Sequence, residues 1–105
     1  MAKEVLGLLA ELPEGTARRY DVAGHSIAVV RLGDDVYALG DRCSHADVSL
    51  SEGEVDEDER TLECWKHGSE FDLETGEALT LPATRPVPTY EARVEGDEIV
   101  VVIDE

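Results

Sequence analysis

The chain is poor in basic residues: nine Lys and Arg stand against 25 Asp and Glu, a formal charge of −16. Such a surface repels phosphates, which excludes nucleic acid and anionic membrane surfaces as natural partners. It keeps a small protein in solution and attracts basic protein surfaces. Long hydrophobic runs are also lacking. The N-terminal run from Val5 to Ala10 is broken by Gly7 and stopped by Glu11. A signal-peptide core needs roughly 7–15 apolar residues and a membrane helix about 20, so a cytoplasmic location is expected. Cysteine is scarce as well, with only Cys43 and Cys64. A reducing compartment disfavours a disulfide between them. His45 and His67 follow them by two and three residues, which points to metal binding.

The length of 105 residues suits one domain, 1–105, with a real core and no second unit. No internal repeat, low-complexity segment or convincing amphipathic helix is present. Turn residues instead divide the chain into short strands. Leu12-Pro13-Glu14-Gly15 predicts a turn before a strand over Thr16 to Val22. Ala23-Gly24 then leads into Ser26 to Leu32, whose β-branched residues suit a strand buried on both faces. His25 reads as an exposed or capping residue. Val36 to Leu39 forms a third strand leading to a first loop, and Arg60 to Glu63 a fourth leading to a second. Between them, Ser51 to Glu63 is dominated by acidic residues and reads as a solvated surface loop. Glu74-Thr75-Gly76 predicts a hairpin turn. Pro82, Pro86 and Pro88 make the following segment extended and unsuited to a central strand. Thr89 to Val94 and Glu98 to Ile103 form a C-terminal hairpin. The fold class expected is all-β, a small antiparallel sandwich or barrel.

The chemistry concentrates in Cys43-Ser44-His45 and, after an 18-residue interval, Cys64-Trp65-Lys66-His67. Two thiolates and two imidazoles suit tetrahedral zinc, or a two-iron cluster with cysteines on one iron and histidines on the other. Structural zinc sites usually take a cysteine pair from one loop and a histidine pair from another. Here each loop supplies one of each, so a two-iron cluster explains the mixture better.

The paired motifs Cys-x-His and Cys-x-x-His, continuing into Gly68-Ser69-Glu70-Phe71-Asp72, resemble the Rieske proteins. The resemblance extends over nearly the whole chain and is greatest to the soluble ferredoxins of that family. It implies a small antiparallel sandwich or barrel with cluster-binding loops at about 41–50 and 63–71. It implies one Rieske-type 2Fe-2S cluster, with Cys43 and Cys64 on the inner iron and His45 and His67 on the outer. It also suggests Ser69 as a donor to a cluster sulfide, Trp65 as a shield or partner contact, and Pro82 as part of a covering loop. Respiratory members carry an additional cysteine in each loop, where this chain has Val48 and Lys66. Its loops are therefore expected to be held by cluster ligation and packing alone. Those members also carry a tyrosine where Phe71 stands, so one hydrogen bond to sulfur is absent and a low potential is expected.

By this resemblance the chain carries single electrons from a flavin-dependent reductase to a terminal oxygenase, as a monomer docking on basic surfaces. It is not expected to be an enzyme: beyond the two candidate ligands only His25 remains, too few for a mononuclear iron site. Two other readings stay open, an accessory ferredoxin of iron-sulfur cluster assembly and a zinc-stabilised interaction module.

Overall fold

A computed structural model of the chain describes residues 2–42, 48–66, 68–80 and 85–103. Nine strands are formed among them: β1 Ala2–Leu8, β2 Thr16–Val22, β3 His25–Leu32, β4 Asp35–Gly40, β5 Val55–Asp56, β6 Thr61–Glu63, β7 Glu70–Asp72, β8 Thr89–Glu95 and β9 Glu98–Ile103. A six-stranded antiparallel sheet has the order β1-β9-β8-β4-β3-β2, and β5-β6-β7 form a separate three-stranded sheet. The larger sheet curls, so that its edge strands β1 and β2 approach each other. No α-helix is present among the described residues, and no helix there is long and apolar enough to cross a membrane.

The expected all-β class holds, and β2 spans the predicted residues. One strand was not expected from the sequence, and one expectation needs correction. The run at Val5 to Ala10 contributes to β1, which pairs with β9 from Ala2↔Ile103 to Leu8↔Glu98. The long-range pairing overrides the weak local signal of a run that Gly7 interrupts. The acidic stretch is not loop throughout: β5 pairs with β6 through Val55↔Leu62 and Asp56↔Thr61, while the turn between them, 57–60, is exposed.

The apolar run of β3 follows from its position between two cores. Ala28 and Val30 face one cluster with Leu39, Leu50, Leu62, Cys64, Phe71, Leu73 and Val87. Ile27 and Val29 face the other, with Leu12, Val36, Ala38, Ile99, Val101 and Ile103. A strand with one wet face would alternate, whereas Ile27, Ala28, Val29 and Val30 are all fully buried. The first cluster joins the large sheet to the small one, and residues flanking both candidate ligand loops, Val48 and Leu50 on one side and Leu62 and Phe71 on the other, pack into it.

Candidate metal centre

The second loop grows from the β6–β7 hairpin. Leu62↔Phe71 and Glu63↔Glu70 set its register, and the chain then reverses within a few residues. The Cys64 N–H donates to the Ser69 carbonyl at 2.6 Å, and the Gly68 N–H to the Cys64 carbonyl at 2.9 Å. Gly68 makes the reversal at φ +76°, in the left-handed region that glycine enters without steric cost. Cys64 is thereby fixed at the strand end, fully buried and with a free thiol. Ser69 is fully buried too, whereas Trp65 is 54% exposed.

The first loop leaves β4 and returns at Ser49. The ligand candidates Cys43, His45 and His67, together with Pro82, lie outside the described residues, so of the four candidate ligands Cys64 is the one whose surroundings are defined. Both flanks of the first loop are described, and they meet. Arg42 and Ser49 form an antiparallel bridge, and the Leu50 N–H donates to the Asp41 carbonyl at 2.6 Å. The Asp41 carboxylate accepts from the Ser51 N–H at 2.9 Å and from the Ser49 hydroxyl. Beyond this neck, Val48 and Leu50 pack into the cluster that contains Cys64. The bases of both loops thus converge on one apolar wall.

Close backbone approaches complete the frame. Gly53, after the first loop, presses on the Glu63 carbonyl just before Cys64, where a Cβ would sit 1.6 Å from that oxygen. The segment leading out of the proline-rich stretch is strapped at both sides: the Val87 N–H donates to the Gly76 carbonyl at 2.9 Å, and the Pro88 carbonyl accepts from the Gly40 N–H at 2.8 Å. Asp41, Ser49, Ser51 and Gly53 did not emerge from the sequence as parts of the site, and Gly76 emerged only as a turn residue. Short polar residues on either side of a Cys-x-His loop were the available signal, since Asp and Ser readily bond nearby backbone. The expectation of cluster ligation and packing alone is accordingly corrected: a hydrogen-bonded neck also closes the first loop.

The surroundings are acidic. Glu54, Asp56, Glu57, Asp58, Glu63 and Glu70 line a shallow groove beside the β6–β7 hairpin. On the other side of the neck, Arg19 lies 3.7 Å from the Asp41 carboxylate and 3.1 Å from that of Asp21. Hydrogen bonds from Ser26, and then from Arg19, hold the Asp21 carboxyl below the usual aspartate range. His25 places Nδ1 3.2 Å from the Tyr90 hydroxyl and is half-buried.

Residues 3–91 match the Rieske [2Fe-2S] domain. The chain is 46% identical over 97 residues to the 3-phenylpropionate/cinnamic acid dioxygenase ferredoxin subunit of Escherichia coli (strain K12), covering 92% of this chain and 90% of the relative. Its fold superposes on the ferredoxin of carbazole 1,9a-dioxygenase from Nocardioides aromaticivorans IC177 with a TM-score of 0.95, at 36% identity, covering 99% of this chain and 100% of that one. A ferredoxin solved as a complex of reduced oxygenase and oxidized ferredoxin in carbazole 1,9a-dioxygenase gives 0.86 at 36% identity, covering 94% and 91%. The chain belongs to the Rieske 2Fe-2S domain family, and its cofactor is a Rieske-type 2Fe-2S cluster.

The described part of the site fits that cofactor. A soft iron takes thiolate sulfur readily, and Cys64 is a free thiol held rigidly at a hairpin end, shielded by Leu50, Leu62 and Phe71. Burial in apolar surroundings excludes solvent, one of the factors that set a cluster's potential.

Proposed function

We propose that this chain is a one-electron carrier that takes electrons from a flavin-dependent reductase and delivers them to a terminal oxygenase. Cys43 and Cys64 would hold the inner iron, and His45 and His67 the outer. When bound, the cluster takes up and returns a single electron. The chain's own residues position it, keep water from the inner side and form the surface through which partners approach. No catalytic residue is assigned, because the chemistry on substrate belongs to the oxygenase.

One observation carries this reading: the buried Cys64 thiol is followed immediately by the exposed Trp65. A centre anchored there is insulated on its inner side and one residue from the surface on the other. Leu79, 48% exposed, lies at the same end of the small sheet, since its N–H donates to the Glu70 carbonyl opposite Glu63. Apolar side chains near an acidic groove suit a docking face with a basic rim on the partner. The relatives named above as dioxygenase ferredoxins, one in complex with its oxygenase, support the same assignment. Ser69, buried beneath the loop, is the candidate hydrogen-bond donor to the cluster, and Pro82 the candidate cover. A monomer acting in the cytoplasm completes the reading.

The test is paramagnetic resonance of the dithionite-reduced protein, followed by reduction with a flavin-dependent ferredoxin reductase at low and high salt. A mixed histidine and cysteine signal, and reduction that slows as salt rises, are expected. A colourless zinc protein overturns the assignment, and rates independent of salt overturn the acidic docking face.

A further inference from the structure

We propose that Asp41 is a positioning residue of the electron-transfer centre, a carboxylate staple that closes the neck of the first ligand loop where the chain has no covalent cross-link. The inference rests on the reading that Cys43 and His45 are cluster ligands.

Asp41 is only 3% exposed, yet every polar group it carries is engaged across the neck or below it. Its N–H donates to the Ser26 carbonyl at 3.0 Å, which ties the entry of the loop to β3. Its carbonyl accepts from Leu50 at 2.6 Å, which ties entry to exit. Oδ1 accepts from the Ser51 N–H at 2.9 Å, and Oδ2 accepts from the Ser49 hydroxyl, which lies 2.8 Å from the Ser51 hydroxyl. Arg19, with Nε at 3.7 Å, supplies the balancing positive charge. A buried carboxylate without partners would be costly, so this arrangement persists only because the partners are in place.

The neck matters because the loop between Arg42 and Val48 must present two ligands from five residues, 43–47. Fixing both ends removes most of the conformations that an open loop would sample, which is the entropic service a disulfide provides in other chains. Val48, at the position where respiratory members carry a loop cysteine, packs instead on the apolar cluster. The Asp41 carboxylate lies at the base of the same loop, and hydrogen bonds replace the covalent bond.

The experiment follows chelator-driven loss of visible absorption from the holoprotein in the wild type, Asp41→Ala, Asp41→Asn and Ser49→Ala. Removing a residue that orients metal ligands costs roughly 10–100-fold in metal retention, and Asp41→Ala is expected in that range. Asp41→Asn keeps the oxygen that accepts from Ser51, so it should stay within about threefold of wild type, with Ser49→Ala between the two. Amide hydrogen exchange separates this role from general stabilisation. In Asp41→Ala, the amides of Leu50 and Ser51 exchange faster while those of Val29 and Val101 do not. Cluster loss at the wild-type rate in both Asp41→Ala and Ser49→Ala overturns the inference, as does acceleration spread evenly over the barrel. If Asp41→Ala does not fold, Ser49→Ala decides by the same two readouts. A wild type that binds no cluster overturns the underlying reading instead, and is visible before any variant is made.

Discussion

Replacing Gly53 by alanine probes how tightly the two ligand loops are coupled. Gly53 has φ −82° and ψ −178°, a conformation open to any residue, so an alanine there meets no backbone penalty of its own. The obstacle is space. A Cβ would lie 1.6 Å from the Glu63 carbonyl oxygen, 2.9 Å from its carbon and 3.2 Å from the Leu50 oxygen. Side-chain carbons do not approach below 3.0 Å, so the chain after the first loop must move from β6 by about 1.4 Å, the difference between those limits. That movement breaks the 2.8 Å bond from the Glu63 N–H to the Glu54 carbonyl and strains the 3.0 Å bond from Gly53 to Leu50. Two weakened hydrogen bonds at about 1 kcal/mol each and an overpacking cost of about 1–3 kcal/mol give roughly 3–5 kcal/mol in all. Gly96→Ala is the control. Gly96 sits at φ +63° with nothing within 4 Å of a built Cβ, so it reports conformational strain alone, about 1–2 kcal/mol. Urea unfolding of the apoprotein, followed by far-ultraviolet circular dichroism, compares the two. The Gly53 variant should be the less stable by at least about 1 kcal/mol, the smallest gap between those ranges. Equal destabilisation would refute the proposed coupling of the first loop to the strand that delivers Cys64.

Three further outcomes are expected. Leu62→Ala, which opens a void in the fully buried cluster that holds Cys64, should cost about 2–5 kcal/mol in chemical denaturation and speed cluster loss. The midpoint potential should fall in the lower part of the Rieske range, roughly −150 to 0 mV, because Phe71 brings no hydroxyl to the buried wall; protein-film voltammetry with a midpoint well above 0 mV would contradict this. Ser26→Ala removes the largest cause of the lowered Asp21 pKa, so NMR titration should find that carboxyl moved up toward its ordinary value. Because the folded-state pKa is depressed, the stabilisation linked to Asp21 is present above the unfolded value and lost as pH falls through the folded one. The variant should therefore lose stability more gently in acid than the wild type.

Much of this molecule is written locally. The β-branched run at Ser26 to Leu32, the Gly-containing turns at Ala23-Gly24 and Glu95-Gly96-Asp97, and the prolines after Thr80 each specify their own conformation, because turn chemistry and alternation act over a few residues. The Cys and His motifs narrow the metal to zinc or a two-iron cluster, and the family resemblance they carry points to the cluster. The sequence by itself therefore determined the fold class and, through that resemblance, the cofactor class, and it proposed the two loops as its carriers. It did not disclose β1, whose pairing partner β9 lies at the far end of the chain, or β5, whose two residues become a strand only against β6. Nor did it disclose the Asp41 neck or the Gly53 contact. Those depend on which backbone groups tertiary folding brings within hydrogen-bond or van der Waals reach, and the types of Asp41 and Ser51 signal only that they can bond backbone, not which groups they meet. What the tertiary structure alone decided is how the loops are held: by one shared apolar wall, a hydrogen-bonded neck and a glycine pressed against the strand that ends at Cys64.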